Sequence, residues 1–298
     1  MIDFILACIG QILPFLPLAY AISLSFNILQ TTDLALDASF IIGAGFSAKI
    51  IAAGYNPILA LAVAVLCGAV AGCVTSLIQY KSRINGLLAS ILSSFILLNI
   101  VWIIMDRPNI SLLDQKTILN VIQFKSEALA SQQDLIMMSL YAVIGCAIIY
   151  VIVSFSRLGI LMAGLGSNQK LLNNLGYNTE LLRALCFAVT NALAAFAGVL
   201  TSASVGYADV NMSLGLTLTG IGAVIIGQTI IKNFFHTPYK YRVGVQFISC
   251  LFGVTLYFCG INTLLRYGVN PLYIKMLVGI MLVMFLYLSA TRDSYEKS

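Results

Sequence analysis

Charge is scarce in this sequence: Asp, Glu, Lys and Arg make up only 9% of its 298 residues, against about 25% in a typical soluble domain. A chain so poor in charge cannot clothe a folded domain for water. Histidine occurs once, at His236 in a basic stretch where it reads as a solvated side chain. There is no C-x-x-C pair, and neither a metal-ligand cluster with His nor a nucleophile–His–acid set is visible in the sequence. A G-x-x-x-x-G-K-[ST] phosphate loop is missing as well, so the chain has no such cradle for ATP. The seven cysteines (Cys8, Cys67, Cys73, Cys146, Cys186, Cys250 and Cys259) all fall in apolar runs and read as small buried hydrophobes. No catalytic residue, metal ligand or resident cofactor is therefore assigned. Basic residues are spread over short loops and form no stripe for nucleic acid, despite the net charge of +5.

What the chain has in abundance is apolar length. Hydrophobic residues make up 60% of it, and the mean hydropathy is +0.98. Apolar runs lie near 10–29, 34–53, 57–79, 86–105, 135–154, 183–204, 215–231, 243–264 and 272–290. About 20 apolar residues in a helix cross a bilayer's hydrocarbon core. Barrel strands would show short alternating segments instead. The class expected is all-α: a polytopic membrane protein with about nine spans, forming one transmembrane domain over 1–298. Met1-Ile2-Asp3 lacks a basic n-region and Phe4–Leu29 is too long for a signal h-region, so this stretch reads as the first span. Asp33, Asp37, Gly43, Gly45 and Lys49 interrupt the second run, which is expected to be a broken helix.

Orientation follows from the basic residues of short loops. Placing 80–83, 155–183, 232–242 and the tail inside puts ten of the 16 Lys and Arg residues in the cytoplasm, and the N-terminus outside. Residues 106–134 then form an outer loop whose apolar patch (Ile118, Leu119, Val121, Ile122, Phe124) could carry a short surface helix. A faint internal symmetry relates Asp33–Asp37, leading into Ile41–Gly45, to Asp209–Gly215, leading into Gly220–Gly227. The two stretches start on opposite faces, as inverted transporter repeats do.

The inner loop 155–183 is the most informative element. Ser167 or Asn168 suits an N-cap, and Gly176 the left-handed position that ends a helix. Between them Leu171, Leu172 and Leu175 share a face, making a two-turn helix with a small apolar ridge. The spacing leaves two roles open: a plug for a groove on a partner, or an interfacial helix on lipid headgroups. Asp33 and Asp37 lie one helical turn apart, and ionisable groups within a membrane are costly enough to be functional suspects. They read either as a polar lining of a solute path or as boundary caps. Tyr207, Asp209 and Asn211 form a short outer turn that meets a solute or its carrier, or is merely solvated. Gly68-x-x-x-Gly72 is a close helix-packing motif.

Over nearly its full length the chain resembles the transmembrane subunits of ABC importers of the branched-chain amino-acid and ribose type. In that family the inner loop runs from a basic residue and Leu-Gly to Asn-Pro-x-Ala-Ala and then Gly-Ile. Here it reads Arg157-Leu158-Gly159, then Asn168-Gln-Lys-Leu-Leu and Gly176-Tyr177. Gln169 replaces the common Pro, and Leu171-Leu172 the small pair. Leu16–Tyr20, Asn27 and Asp33–Gly45 look like the family's first helix and broken second helix. Gly206–Gly215 with Ala223–Gly227 most resembles a subgroup of tryptophan/tyrosine-type uptake permeases.

The resemblance implies a permease in the bacterial inner membrane that moves a small solute, an amino acid or related metabolite. ATP would be used by a separate cytoplasmic ATPase subunit, with an extracytoplasmic solute-binding protein and a second permease, most simply a copy of itself. It implies a coupling helix at 167–176, carried by Gly164, Asn168, Leu171, Leu172, Leu175 and Gly176. The translocation path would draw on Asn27, Asp33, Asp37, Tyr207, Asp209 and Asn211. The rivals are a secondary transporter driven by an ion gradient, supported by Asp33, Asp37 and the faint repeat, and a membrane-embedded enzyme, for which the acids and histidines are too few.

Overall fold

The computed structural model of the protein describes residues 2–79, 84–121, 133–234 and 243–270, together with 273, 276, 277, 279, 280 and 283. Its helices are α1 (Ile2–Ser23), α2 (Ala35–Ala52), α3 (Pro57–Ile78), α4 (Gly86–Met105), α5 (Gln133–Phe155), α6 (Arg157–Ser167), α7 (Gln169–Asn174), α8 (Thr179–Val205), α9 (Leu216–Phe234) and α10 (Val243–Arg266). Two short strands, β1 (Asn109–Ser111) and β2 (Tyr207–Asp209), pair antiparallel. Among the described residues seven helices are long and apolar enough to cross a membrane, and Leu216–Ile231 is a shorter apolar one. Of the nine runs expected, seven are thus long helices and the run at 215–231 is the short one. The run at 272–290 lies largely outside the described residues, as do His236, the loop 80–83, most of 232–242 and the tail 291–298.

The expected break in the second helix is absent, because α2 runs unbroken from Ala35 to Ala52. The interruption comes before it. After Ser23 the chain widens into a π-turn over Leu24–Ile28, where Leu29 N–H donates to the Leu24 carbonyl at 3.0 Å. It then crosses 29–34 without regular structure. Gly43 and Gly45 are packing sites instead of breaks: a Cβ on Gly43 would strike the Ala195 backbone, and one on Gly45 would meet Met105 and Val101.

Asparagine opens the helices that follow tight connections. Asn56, Asn85 and Asn178 accept from backbone N–H groups of α3, α4 and α8, and Pro57 fills the first position of α3, where its missing donor costs nothing. Within the spans, hydroxyls turn back on their own carbonyls, as Thr75 does on Ala71 (3.1 Å) and Ser93 on Ala89 (2.8 Å). No polar hydrogen is then left unpaired at those buried sites.

Small residues let the central helices close on one another. Gly198 lies on the Phe40 carbonyl, and Gly68 and Gly72 lie on α8 at Asn191–Ala192 and Phe187–Ala188, so the 68–72 motif packs as its spacing predicts. The main core joins α1, α2, α8, α9 and α10, with smaller shares from α3, α4 and α5. At one end of the bundle β1 and β2 clasp the exits of α4 and α8, and Leu112 N–H extends the pairing to the Gly206 carbonyl at 2.8 Å. Within the described part of 106–134 the expected apolar patch forms a 3-10 turn, Ile118–Asn120. Ile118 and Leu119 are buried against Met137, Val199 and Leu200, so they plug the bundle. Ile122 and Phe124 lie outside the described residues.

Candidate coupling elbow and buried polar node

At the end of the bundle opposite the strands, α5 turns sharply into α6 and α6 into α7. Gly159 makes the first corner possible, since a Cβ there would strike the Val153 carbonyl. The second corner is capped by Asn168, whose Oδ1 accepts from Leu171 N–H at 3.0 Å; of the two expected cap residues, Asn168 does the work. Gly176, with φ +84°, takes the left-handed conformation that closes α7. There Tyr177 N–H reaches the Leu172 carbonyl at 3.1 Å. A polar belt ties this elbow to the bundle. Thr179 Oγ1 donates to Asn173 Oδ1 (2.8 Å), and Arg183 donates to Gln169 Oε1 (3.0 Å) and to the Gln79 carbonyl at the end of α3 (3.5 Å).

The leucine ridge differs from expectation. Leu171 and Leu175 are 52% and 63% exposed, but Leu172 is only 5% exposed. Residues one apart on a helix point about 100° apart, and Leu172 turns inward. There it meets Gly164 and the cluster of Leu24, Ile28, Leu29 and Met162. The exposed ridge is therefore Leu171 and Leu175, with Leu172 as its root. Gly166, at the end of α6, lies directly on the backbone of Ile28 and Leu29. The elbow thus touches the irregular segment that precedes α2.

That segment leads to the node. Asp33 is 2% exposed. Its Oδ1 accepts from Ala35 N–H at 2.9 Å, opening α2, and its Oδ2 accepts from Asn191 Nδ2 at 2.9 Å. Asn191, midway along α8, also donates to the Phe187 carbonyl (2.9 Å) and accepts from Ser39 Oγ (2.6 Å). One turn along α2, Asp37 accepts from Gly215 N–H (3.2 Å), Thr217 N–H (2.7 Å) and Thr217 Oγ1 (2.6 Å). It caps the N-terminus of α9 from another helix, where the helix dipole favours an anion. Among the described residues neither carboxylate has an ion-pair partner. Charge-assisted bonds from N–H and O–H groups hold both. The two stretches of the faint repeat, 33–37 and 209–215, therefore touch.

The other residues singled out in the sequence lie apart from the node. Asn27 sits in the π-turn and donates to Ser23 Oγ at 3.0 Å. Tyr207 and Asp209 are in β2, Tyr207 41% exposed, and Asp209 Oδ1 accepts from Asn211 N–H at 2.7 Å. Sequence reasoning missed Asn191, Ser39 and Thr217. A lone amide in the middle of a long apolar run was the available signal for Asn191.

Between the node and the strand end lies a cavity of about 420 Å³. Phe40 and Leu216, neighbours of Asp37 and Thr217, form its floor, and Gly10, Ser204 and Val205 its upper wall.

A profile described as branched-chain amino acid transport system / permease component matches residues 4–286. An uncharacterized protein of Rickettsia prowazekii (strain Madrid E) is 33% identical over 290 residues, 97% of this chain and 98% of its own length. A tyrosine transport system permease protein of Clostridioides difficile (strain R20291) is 29% identical over 281 residues, 94% of this chain and 90% of its own. No solved structure matches the chain.

Proposed function

The chain belongs to the permease component family of branched-chain amino acid transport systems, and from that membership we propose that it is the permease of an ABC importer. In this reading the whole of 1–298 is one transmembrane domain in a bacterial inner membrane, the α6–α7 end faces the cytoplasm, and ATP is hydrolysed by a separate subunit. A second copy of the chain, two ATPase subunits and an extracytoplasmic binding protein complete the assembly. The solute is an amino acid, a reading supported by the tyrosine transport named for the Clostridioides difficile relative.

The observation that carries the proposal is the elbow. Leu171 and Leu175 stand exposed outside the spans, while Leu172 and Gly166 bind the same short element to residues 24–29. A push on the ridge is passed by backbone contact to the turn that sets Asp33. From Asp33 and Asp37 it reaches α8 at Asn191 and α9 at Thr217. The helices around the path then move as coupled bodies. Tyr207, Asp209 and Asn211 meet the solute or its carrier at the outer end.

The test is copurification of the tagged chain from mild detergent with an ATPase assay on the product. A stoichiometric ATPase subunit is expected, lost in Leu171→Asp/Leu175→Asp while the permease stays folded and monodisperse. An ATPase-free oligomer that moves amino acid into proteoliposomes under an ion gradient would falsify the reading in favour of a secondary transporter.

A further inference from the structure

We infer that the 420 Å³ cavity and Arg266 above it form a site for an anionic phospholipid, whose acyl chain fills the cavity and whose phosphate meets the guanidinium. The site owes nothing to the transport reading: depth, apolarity and charge carry it. One span begins at Phe4 in α1 and another ends at Arg266 in α10, so these two residues mark one edge of the membrane. Tyr267, next in the chain and 83% exposed, is the type of side chain that gathers at such an edge. At about 1.5 Å per residue, Gly10 lies about 9 Å and Phe15 about 16 Å below Phe4. Half of a hydrocarbon core is about 15 Å. The cavity, which reaches from Gly10 and Gln11 to Phe15 and Phe258, therefore occupies the depth of one leaflet's acyl chains.

The lining contains no charged residue. Thr201 and Ser204 give their hydroxyl hydrogens to their own helix, at the Ala197 (2.8 Å) and Thr201 (2.9 Å) carbonyls. A Cβ built on Gly10 meets nothing within 4 Å, and Ser204 and Val205, which share its wall, are exposed, so the cavity is open there. Left empty, it would leave its lining without contact partners, and water would find few polar atoms to hold it. A methylene takes about the volume of a water molecule, ~30 Å³, so there is room for on the order of ten of them. Charge lies at the upper end. Phe258, Asn262 and Arg266 follow one another at single turns along the face of α10 that meets α1. Asn262 Nδ2 donates to Gln11 Oε1 (3.0 Å) and to the Phe258 carbonyl (2.9 Å), which leaves the Gln11 Nε2 hydrogens for an ester carbonyl of the lipid. The Arg266 guanidinium is held 5.8 Å from the centre of the Phe4 ring, and among the described residues no carboxylate pairs with it. Its planar fork suits phosphate oxygens. A zwitterionic headgroup brings an ammonium that competes for that phosphate, whereas a glycerol headgroup does not.

The experiment is native mass spectrometry of the full chain, stripped of lipid in detergent and titrated with dioleoyl-phosphatidylglycerol or dioleoyl-phosphatidylethanolamine. One saturable phosphatidylglycerol per chain is expected, held about fivefold more tightly than phosphatidylethanolamine. Arg266→Gln makes the two lipids equal, and Gly10→Phe, which fills the cavity from its open side, removes saturable binding of both. Arg266 is exposed, so its variant decides the matter even where Gly10→Phe does not fold. Excess inorganic phosphate leaves the bound lipid in place; displacement by it would assign the site to a free anion and overturn the proposal. Equal affinity of the parent chain for the two lipids, a preference unchanged in Arg266→Gln, or full binding to a folded Gly10→Phe overturns it as well.

Discussion

Helices α2 and α4 have similar lengths and opposite placements. α2 has a mean hydropathy of 1.5 and is 72% buried within the protein, whereas α4 has a mean hydropathy of 2.4 and is 28% buried. The less apolar helix lies at the centre. In water this order would be reversed, but lipid tails are as apolar as leucine and give no drive to hide it. Protein contacts are instead made by residues that let backbones approach or that bond across helices. α2 carries Ser39, Gly43, Gly45 and Ser47 with both node carboxylates nearby, while α4 turns Leu88, Phe95 and Ile103 outward.

Substitutions at the two kinds of site should separate by size of effect. The largest is Gly198→Leu, whose side chain would be driven into the Phe40 carbonyl; no monodisperse protein is expected in size-exclusion chromatography. Next comes Asn191→Leu, which strips the buried Asp33 of its cross-helix donor. It should cost about 3 kcal/mol in an SDS unfolding titration, and adding Asp33→Asn should recover part of the loss. Leu172→Ala follows at about 2–3 kcal/mol, against less than about 0.5 kcal/mol for exposed Leu171→Ala. Smallest is Ile103→Ala on α4, where Ile103 is 78% exposed; a change within about 0.5 kcal/mol is expected. If Ile103→Ala proved as damaging as Leu172→Ala, the contrast between centre and rim would collapse.

Composition and run length carried the class, because every backbone group in lipid needs an internal partner and only helices or closed barrels supply it. The ends of α7 were equally legible, since Asn168 and Gly176 act through local geometry. What could not be read was which side of a short helix faces home. Leu171 and Leu172 are chemically identical neighbours, and only the position of Gly164 and Leu29 decides that Leu172 turns in. The break was misplaced for a related reason. Glycines in α2 looked like interruptions, but they are contact points whose meaning depends on distant helices, Gly43 on Ala195 of α8 and Gly45 on Val101 and Met105 of α4. The node needed the same long-range knowledge, because nothing near Asp33 in sequence points to Asn191.

That separation bears on how the chain is made. Asp33 meets Asn191 across 158 positions, and Asp37 meets Thr217 across 180. At ribosomal rates of about 5–20 residues per second, the partners emerge on the order of 10–40 s after the carboxylates that need them. For that interval α2 is a weakly apolar segment with two unanswered acids, and it depends on the insertion machinery until α8 and α9 arrive to complete it.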